Sequence, residues 1–183
     1  MNLFILRHAS AGTKRVNPLL DVKRPLDKDG KRHCLQLAYI LNGLKINFDL
    51  IVSSPLKRSL QTASLIGTEM GYEAPILHAN GLAPAAKLAD FHKLLHECRS
   101  RENVLFVGHN PNLQSFLGSL LVPAASKTEA QIRLRKGSIA RLNLTRGPAT
   151  LQWVLDPRIV RSLYAIPARK LRRKVVKKKV AKK

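Results

Sequence analysis

Leu3-Phe4-Ile5-Leu6 is an unbroken apolar run that ends at Arg7 and His8. A strand buried on both faces of a parallel sheet has this form, because neither face meets water and no alternation is needed. Leu50-Ile51-Val52 and Val104-Leu105-Phe106-Val107 read the same way. Between these runs the pattern is helical. One helix is expected from about Asp29 to Asn42, with Leu35, Leu37, Ala38, Ile40 and Leu41 as its buried side and Gly43 as its stop. A second starts at Pro55 with Ser54 as candidate N-cap and runs to about Met70, where Gly71 ends it. A third spans roughly Ala85 to Arg99, and a fourth follows Pro111 to about Leu121. Strand and helix alternate as in βαβ units. The predicted class is therefore α/β, a three-layer α/β/α sandwich around a mostly parallel central sheet. The pattern then changes. Ser138–Thr145 and Ala149–Leu155 read as two strands joined by Arg146-Gly147-Pro148, the second suited to a sheet edge. Residues 1–165 are expected to form one domain, and Pro167 marks the exit into a tail, 166–183.

Composition adds two constraints. The chain of 183 residues is 45% apolar, enough for one well-buried core, but only 5% aromatic, so that core must be mainly aliphatic. No apolar run approaches the roughly 20 residues of a membrane-spanning helix. The apolar run at the start is too short for a signal peptide, so a cytoplasmic location is expected. Cys34 and Cys98 fall in predicted helices without metal-ligand spacing and read as small buried residues. Net charge is +22, and residues 169–183 alone hold ten Lys or Arg and no acid. Leu171, Val175, Val176 and Val180 permit a basic amphipathic helix there, but with no visible cap the favoured reading is a disordered, solvated tail. Such a tail would touch nucleic acid or an anionic surface non-specifically. The remainder of the chain is basic as well, which fits an anionic substrate.

Three segments share one placement. Arg7-His8 closes the first strand, Ser53-Ser54-Pro55-Leu56-Lys57-Arg58 follows the second, and Gly108-His109-Asn110-Pro111 follows the third long apolar strand. Ligands of open parallel sheets bind outside the carboxyl ends of the strands. The fold should thus gather His8, Arg7, Arg58 and His109 in one crevice. A neutral imidazole is a competent nucleophile toward phosphorus. Cationic neighbours keep its lone pair free, and guanidinium groups grip the non-bridging oxygens on which transition-state charge develops. Arg58, in the first turn of its helix, would add the pull of backbone N–H groups on an anion. Arginines and histidines supply the positive charge, so neither a metal nor a cofactor is called for. His92 and His96 have the i, i+4 spacing of a zinc pair, but no third ligand is evident and they read as a helix face.

Leu6-Arg7-His8-Ala9 resembles the Arg-His-Gly/Ala signature of the histidine phosphatase superfamily, also called phosphoglycerate-mutase-like. Ser53-Ser54-Pro55-Leu56-Lys57-Arg58-Ser59-Leu60-Gln61-Thr62-Ala63 is similar to its second motif, and Val107-Gly108-His109-Asn110-Pro111 to its third. The similarity covers about residues 1–160. Compact length, Ala9, and Lys23-Arg24-Pro25-Leu26 leading to Gly30 bring the chain nearest to the short SixA-type phosphohistidine phosphatases. The resemblance implies His8 as nucleophile, Arg7, Arg58 and His109 as phosphate ligands, and Arg24 as a further phosphate contact. Arg24 also reads as the start of a turn before Pro25. The implied substrate is a phosphorylated protein carrying phosphohistidine, or a small phosphorylated molecule. Larger relatives carry an acidic proton donor in a segment that here reads Gly81-Leu82-Ala83-Pro84, with Gly81 where the acid would stand. Glu73 and Asp90 are the nearby carboxylates left open as substitutes. A reading from a different class is a binding protein whose tail holds nucleic acid.

Overall fold

The computed structural model describes residues 1–165 apart from 124, 127 and 129. The expected tail, with Leu171, Val175, Val176 and Val180, lies outside the described residues. Strand β1 (Asn2–Arg7) is followed by helices α1 (Pro18–Val22) and α2 (Lys28–Gly43), then β2 (Leu50–Ser53), α3 (Lys57–Glu69) and β3 (Leu77–His78). A 3-10 turn at Asn80–Leu82 leads to α4 (Leu88–Glu97), β4 (Asn103–Gly108) and α5 (Asn112–Leu120). The chain then makes β5 (Ile139–Asn143), β6 (Thr150–Leu155) and α6 (Pro157–Ala165).

The six strands form one sheet in the order β3-β2-β4-β1-β5-β6. β3, β2, β4 and β1 run parallel. β5 is antiparallel to β1 and β6 to β5, so the hairpin closes one side with β6 at the edge, as its pattern suggested. The apolar runs serve both faces in alternation. Leu3, Ile5, Val104 and Phe106 meet α4 and α5 through Phe91, Leu95, Leu113 and Phe116. Phe4, Leu6, Leu105 and Val107 meet α2 and α3 through Leu37, Leu41, Ala63 and Ile66. With α6 packed beside α2, the result is the three-layer α/β/α sandwich. Phe91 anchors the first core, stacked on Phe116 at 4.4 Å and edge-on to Phe106 at 5.9 Å.

Local details depart from expectation for identifiable reasons. The buried stripe of α2 is Cys34, Leu37, Ala38 and Leu41, spaced i, i+3, i+4, i+7, and Leu35 lies off it and is exposed. Asp27 caps this helix through Gly30 N at 2.7 Å, and the helix starts at Lys28, one residue before the expected Asp29. Gly43 is still helical, and Lys45 takes the left-handed turn with φ of 55°. Helix α3 begins at Lys57 with Leu56 as N-cap, so Ser54 is not its cap. α1, β3 and α6 were not anticipated. α1 buries no residue and β3 has two exposed residues, so neither leaves a hydrophobic signature. Both cysteines are buried and unpaired, with burial pushing the Cys34 thiol up to about 12. Among the described residues no helix is long and apolar enough to cross a membrane.

Candidate active site

Parallel pairing of β1 with β4 sets Arg7 opposite Gly108. The next residues, His8 and His109, therefore leave the sheet side by side, with His8 N donating to Gly108 O at 3.0 Å. Their rings lie 4.9 Å apart, and both are buried.

His8 Nδ1 is 2.8 Å from the carbonyl oxygen of Ala9. That oxygen can only accept, so Nδ1 carries the proton and the neutral ring keeps its lone pair on Nε2. Burial, aided by the charges of Arg58, Arg7 and Lys136, pushes the pKa of His8 down to about 3, against the opposing pull of the Ala9 carbonyl. The loop after β1 is tied to α3: Ala9 N donates to Thr62 Oγ1 at 3.1 Å, and Thr62 Oγ1 donates to Arg58 O at 2.7 Å.

His109 Nε2 lies 2.9 Å from Ser54 Oγ and 3.2 Å from Ser59 Oγ. Its Nδ1 is buried with no hydrogen-bond partner. Burial, and after it the proximity of His8 and of Arg58, Arg7 and Arg24, lowers its pKa to about 2. Arg7 donates from Nη1 to Leu134 O at 3.0 Å. Arg58, in the first turn of α3, donates from Nη1 to Asp21 O at 3.0 Å and to Asp21 Oδ2 at 3.3 Å. The Nε atoms of Arg7 and Arg58 are buried without a partner. Three of the four expected residues, which touch His8 or act on it through charge, thus each hold a buried polar atom without a partner.

Arg24 stands beside this group, sharing Asp21 with Arg58. Its own donors go to Asp21 Oδ1 at 2.8 Å and to the carbonyls of Ala11 at 2.7 Å and Gly12 at 3.1 Å. A Cβ on Gly81 would point at α4, 3.0 Å from the Asp90 carbonyl, so that position faces a helix backbone. Asp90 is occupied at the start of α4, accepting from Lys87 N at 2.9 Å, and Glu73 is exposed. The charges of Arg58, Arg7 and Lys136 that act on His8 are all positive. His92 and His96 are exposed on α4, and among the described residues no three His, Cys, Asp or Glu cluster as a metal site would require.

Sequence reasoning missed Ser54, Ser59, Thr62, Asp21 and Lys136. Ser59 and Thr62 follow Arg58 at helical offsets within the second motif, a spacing that could have placed them on the same face. Asp21 reaches the site from the short helix α1 and Lys136 from the turn before β5, neither with a hydrophobic pattern to mark it.

A model described as the histidine phosphatase superfamily, branch 1, matches residues 3–85. An uncharacterised protein of Picosynechococcus is 30% identical over 155 residues, which cover 83% of this chain and 89% of that one. The chain belongs to the histidine phosphatase superfamily. The fold of this histidine phosphatase is that of the protein histidine phosphatase SixA, solved with tungstate, at a TM-score of 0.75 and 23% identity over 86% of this chain and 98% of that one. A mutant phosphoserine phosphatase from Entamoeba histolytica, solved with phosphoserine, shares the fold at a TM-score of 0.63 and 17% identity, over 86% and 98% of the two chains. One superfamily fold thus serves phosphatases of different substrates, and the identity of the substrate must come from the site itself.

Proposed function

We propose that this histidine phosphatase hydrolyses protein phosphohistidine by way of a phosphoryl group carried on His8. The observation that supports it is the set of buried, unpartnered polar atoms, Arg7 Nε, Arg58 Nε and His109 Nδ1, on three residues that touch His8 or act on it through charge, while the tautomer of His8 leaves Nε2 free. An oxyanion completes all three, and nearly all buried polar atoms in proteins are completed. The Nε2 lone pair attacks phosphorus, and the bond from phosphorus to the leaving atom breaks with its electron pair. The arginines and His109 hold the equatorial oxygens as charge develops. Water then attacks the phosphoryl group, the bond to His8 Nε2 breaks, and phosphate departs while the water proton passes to product and solvent.

The choice of phosphohistidine follows from the positive surroundings of His8. An alkoxide leaving group needs a proton from a positioned acid, usually a hundred- to ten-thousandfold effect. Phosphohistidine protonated on its second ring nitrogen expels a neutral imidazole and needs no such help. Rapid acid-free quenching during turnover should trap one acid-labile, alkali-stable phosphoryl group per chain, and His8→Ala should abolish both label and turnover. Arg58→Ala and His109→Ala should slow turnover at least about a hundredfold, the scale of one lost transition-state donor. Phosphohistidine and aryl phosphates should far outpace phosphoserine. Normal turnover by His8→Ala would end the mechanism, and phosphoserine cleaved as fast as phosphohistidine would shift the reading to small phosphorylated metabolites.

A further inference from the structure

A cavity of about 450 Å³ opens beside Arg7, between α2, the turn before β5, and α6. Six cationic side chains line it, Arg7, Arg32, Arg133, Arg135, Lys136 and Arg161, against one acid, Asp29. Arg32 is paired with Asp29 at 2.7 Å, and Arg135 with Asp156 at 3.2 Å. Among the described residues no ion pair engages Arg133, Lys136 or Arg161. Like charges around a concave space repel one another, and the field they focus there attracts an anion.

A second observation is independent of charge. His33 Nδ1, Gln36 Oε1 and Asn110 Oδ1 are buried without a hydrogen-bond partner, and all three residues line this cavity. His33 is only 8% exposed, and its Nε2 is fixed by Gly137 O at 2.9 Å. Exceptions to hydrogen-bond satisfaction are few in a folded protein, so their gathering marks the cavity as filled by water or a ligand; all three atoms are acceptors, so the charge of that ligand is argued from the cationic lining alone.

We propose that this cavity is a subsite for a second anionic group, a phosphate or a carboxylate, on the molecule that carries the scissile phosphoryl group. The inference rests on the reading that His8 receives that phosphoryl group. Arg7 belongs to both places, and Lys136 lines the cavity while its charge acts on His8. The volume lies within the range of small-ligand sites, about 300–1,000 Å³. It admits an anionic group and the few atoms that link it to the phosphoryl, whether these belong to a metabolite or to an acidic side chain next to phosphohistidine.

Titration calorimetry on the full chain at fixed ionic strength compares methylphosphonate, with one anionic group, to propylene bisphosphonate, with two. The bisphosphonate should bind at least about tenfold tighter, the scale of one charge-assisted contact. The double variant Arg133→Gln, Arg161→Gln alters two exposed side chains outside the phosphoryl site. It should remove that advantage and leave methylphosphonate affinity and aryl phosphate turnover unchanged. A second arm compares phosphohistidine peptides flanked by glutamates or by glutamines. A preference in the first arm identifies a small bis-anion, and one in the peptide arm alone identifies an acidic polypeptide, provided the double variant abolishes it. No preference in either arm, or a preference that survives the double variant, overturns the subsite. Failure of the His8 mechanism shows elsewhere, as a missing acid-labile label, and leaves these ratios readable.

Discussion

A histidine in water changes charge near pH 6.5, whereas burial holds His8 and His109 neutral far below that, with pKa values of about 3 and 2. The folded values lie below the unfolded ones, so folding favours the neutral rings. The stability this contributes is complete above about pH 6.5 and is lost as pH falls from there toward the folded values. The ring-proton resonances of His8 and His109 should accordingly stay flat from about pH 8 to about pH 5 in an NMR titration, while thermal stability declines as the pH drops below about 6.5. A midpoint near 6.5 for either ring would show that water reaches it freely. These two histidines and Arg7 were legible in the sequence because each closely follows an apolar run, and Arg58 because it opens the helix after one. What the letters did not disclose is the setting of each side chain. Ser54 has the form of a helix cap, yet it bonds His109, because α3 starts two residues later than the Ser-Pro pair suggests. Arg24 has the form of a phosphate ligand, yet its guanidinium is engaged by Asp21 and by the carbonyls of Ala11 and Gly12.

Among the elements, the strands were the most legible, because runs such as Leu3–Leu6 and Val104–Val107 face helices on both sides and tolerate no polar residue. Register was not legible, and the site depends on it: Arg7 pairs with Gly108, and a slip of one residue would separate His8 from His109. The turn before β5 helps to lock this arrangement. Gly137 N donates to the carbonyls of Arg7 at 3.0 Å and His8 at 3.1 Å, with φ of 84°. A Cβ on Gly137 would meet the His33 ring at 2.5 Å, in a backbone conformation that L residues rarely adopt. Gly137→Ala should therefore destabilise the protein by about 2–4 kcal/mol, combining strain at positive φ with overpacking. Urea denaturation measures this, and a loss below about 0.5 kcal/mol would mean that the turn and His33 move apart freely. Helix α1 shows the converse limit of sequence reading, since an element that buries nothing leaves no periodicity to detect.

At the scale of the whole molecule, the ten basic residues of 169–183 contribute no motif residue, and the elements that build the site end by Gly137 and Ser138. Deleting 169–183 should leave turnover of an aryl phosphate within about twofold. It should weaken retention on a polyanion column, and the retention of the intact chain should fall steeply with added salt. Loss of aryl phosphate turnover on deletion would place part of the active structure in that segment. The basic excess of the rest of the chain has a further consequence at Arg58. That guanidinium already holds the carboxylate of Asp21 at 3.3 Å, and the Arg24 guanidinium beside it holds Asp21 at 2.8 Å, strong enough to keep the Asp21 pKa at about 2. An anion reaching Arg58 therefore meets a cation with a resident counter-ion. Binding there is an exchange of one anion for another, and selectivity reflects the difference between a phosphoryl group and a tethered carboxylate, so that weak oxyanions are turned away by a competitor the chain always carries.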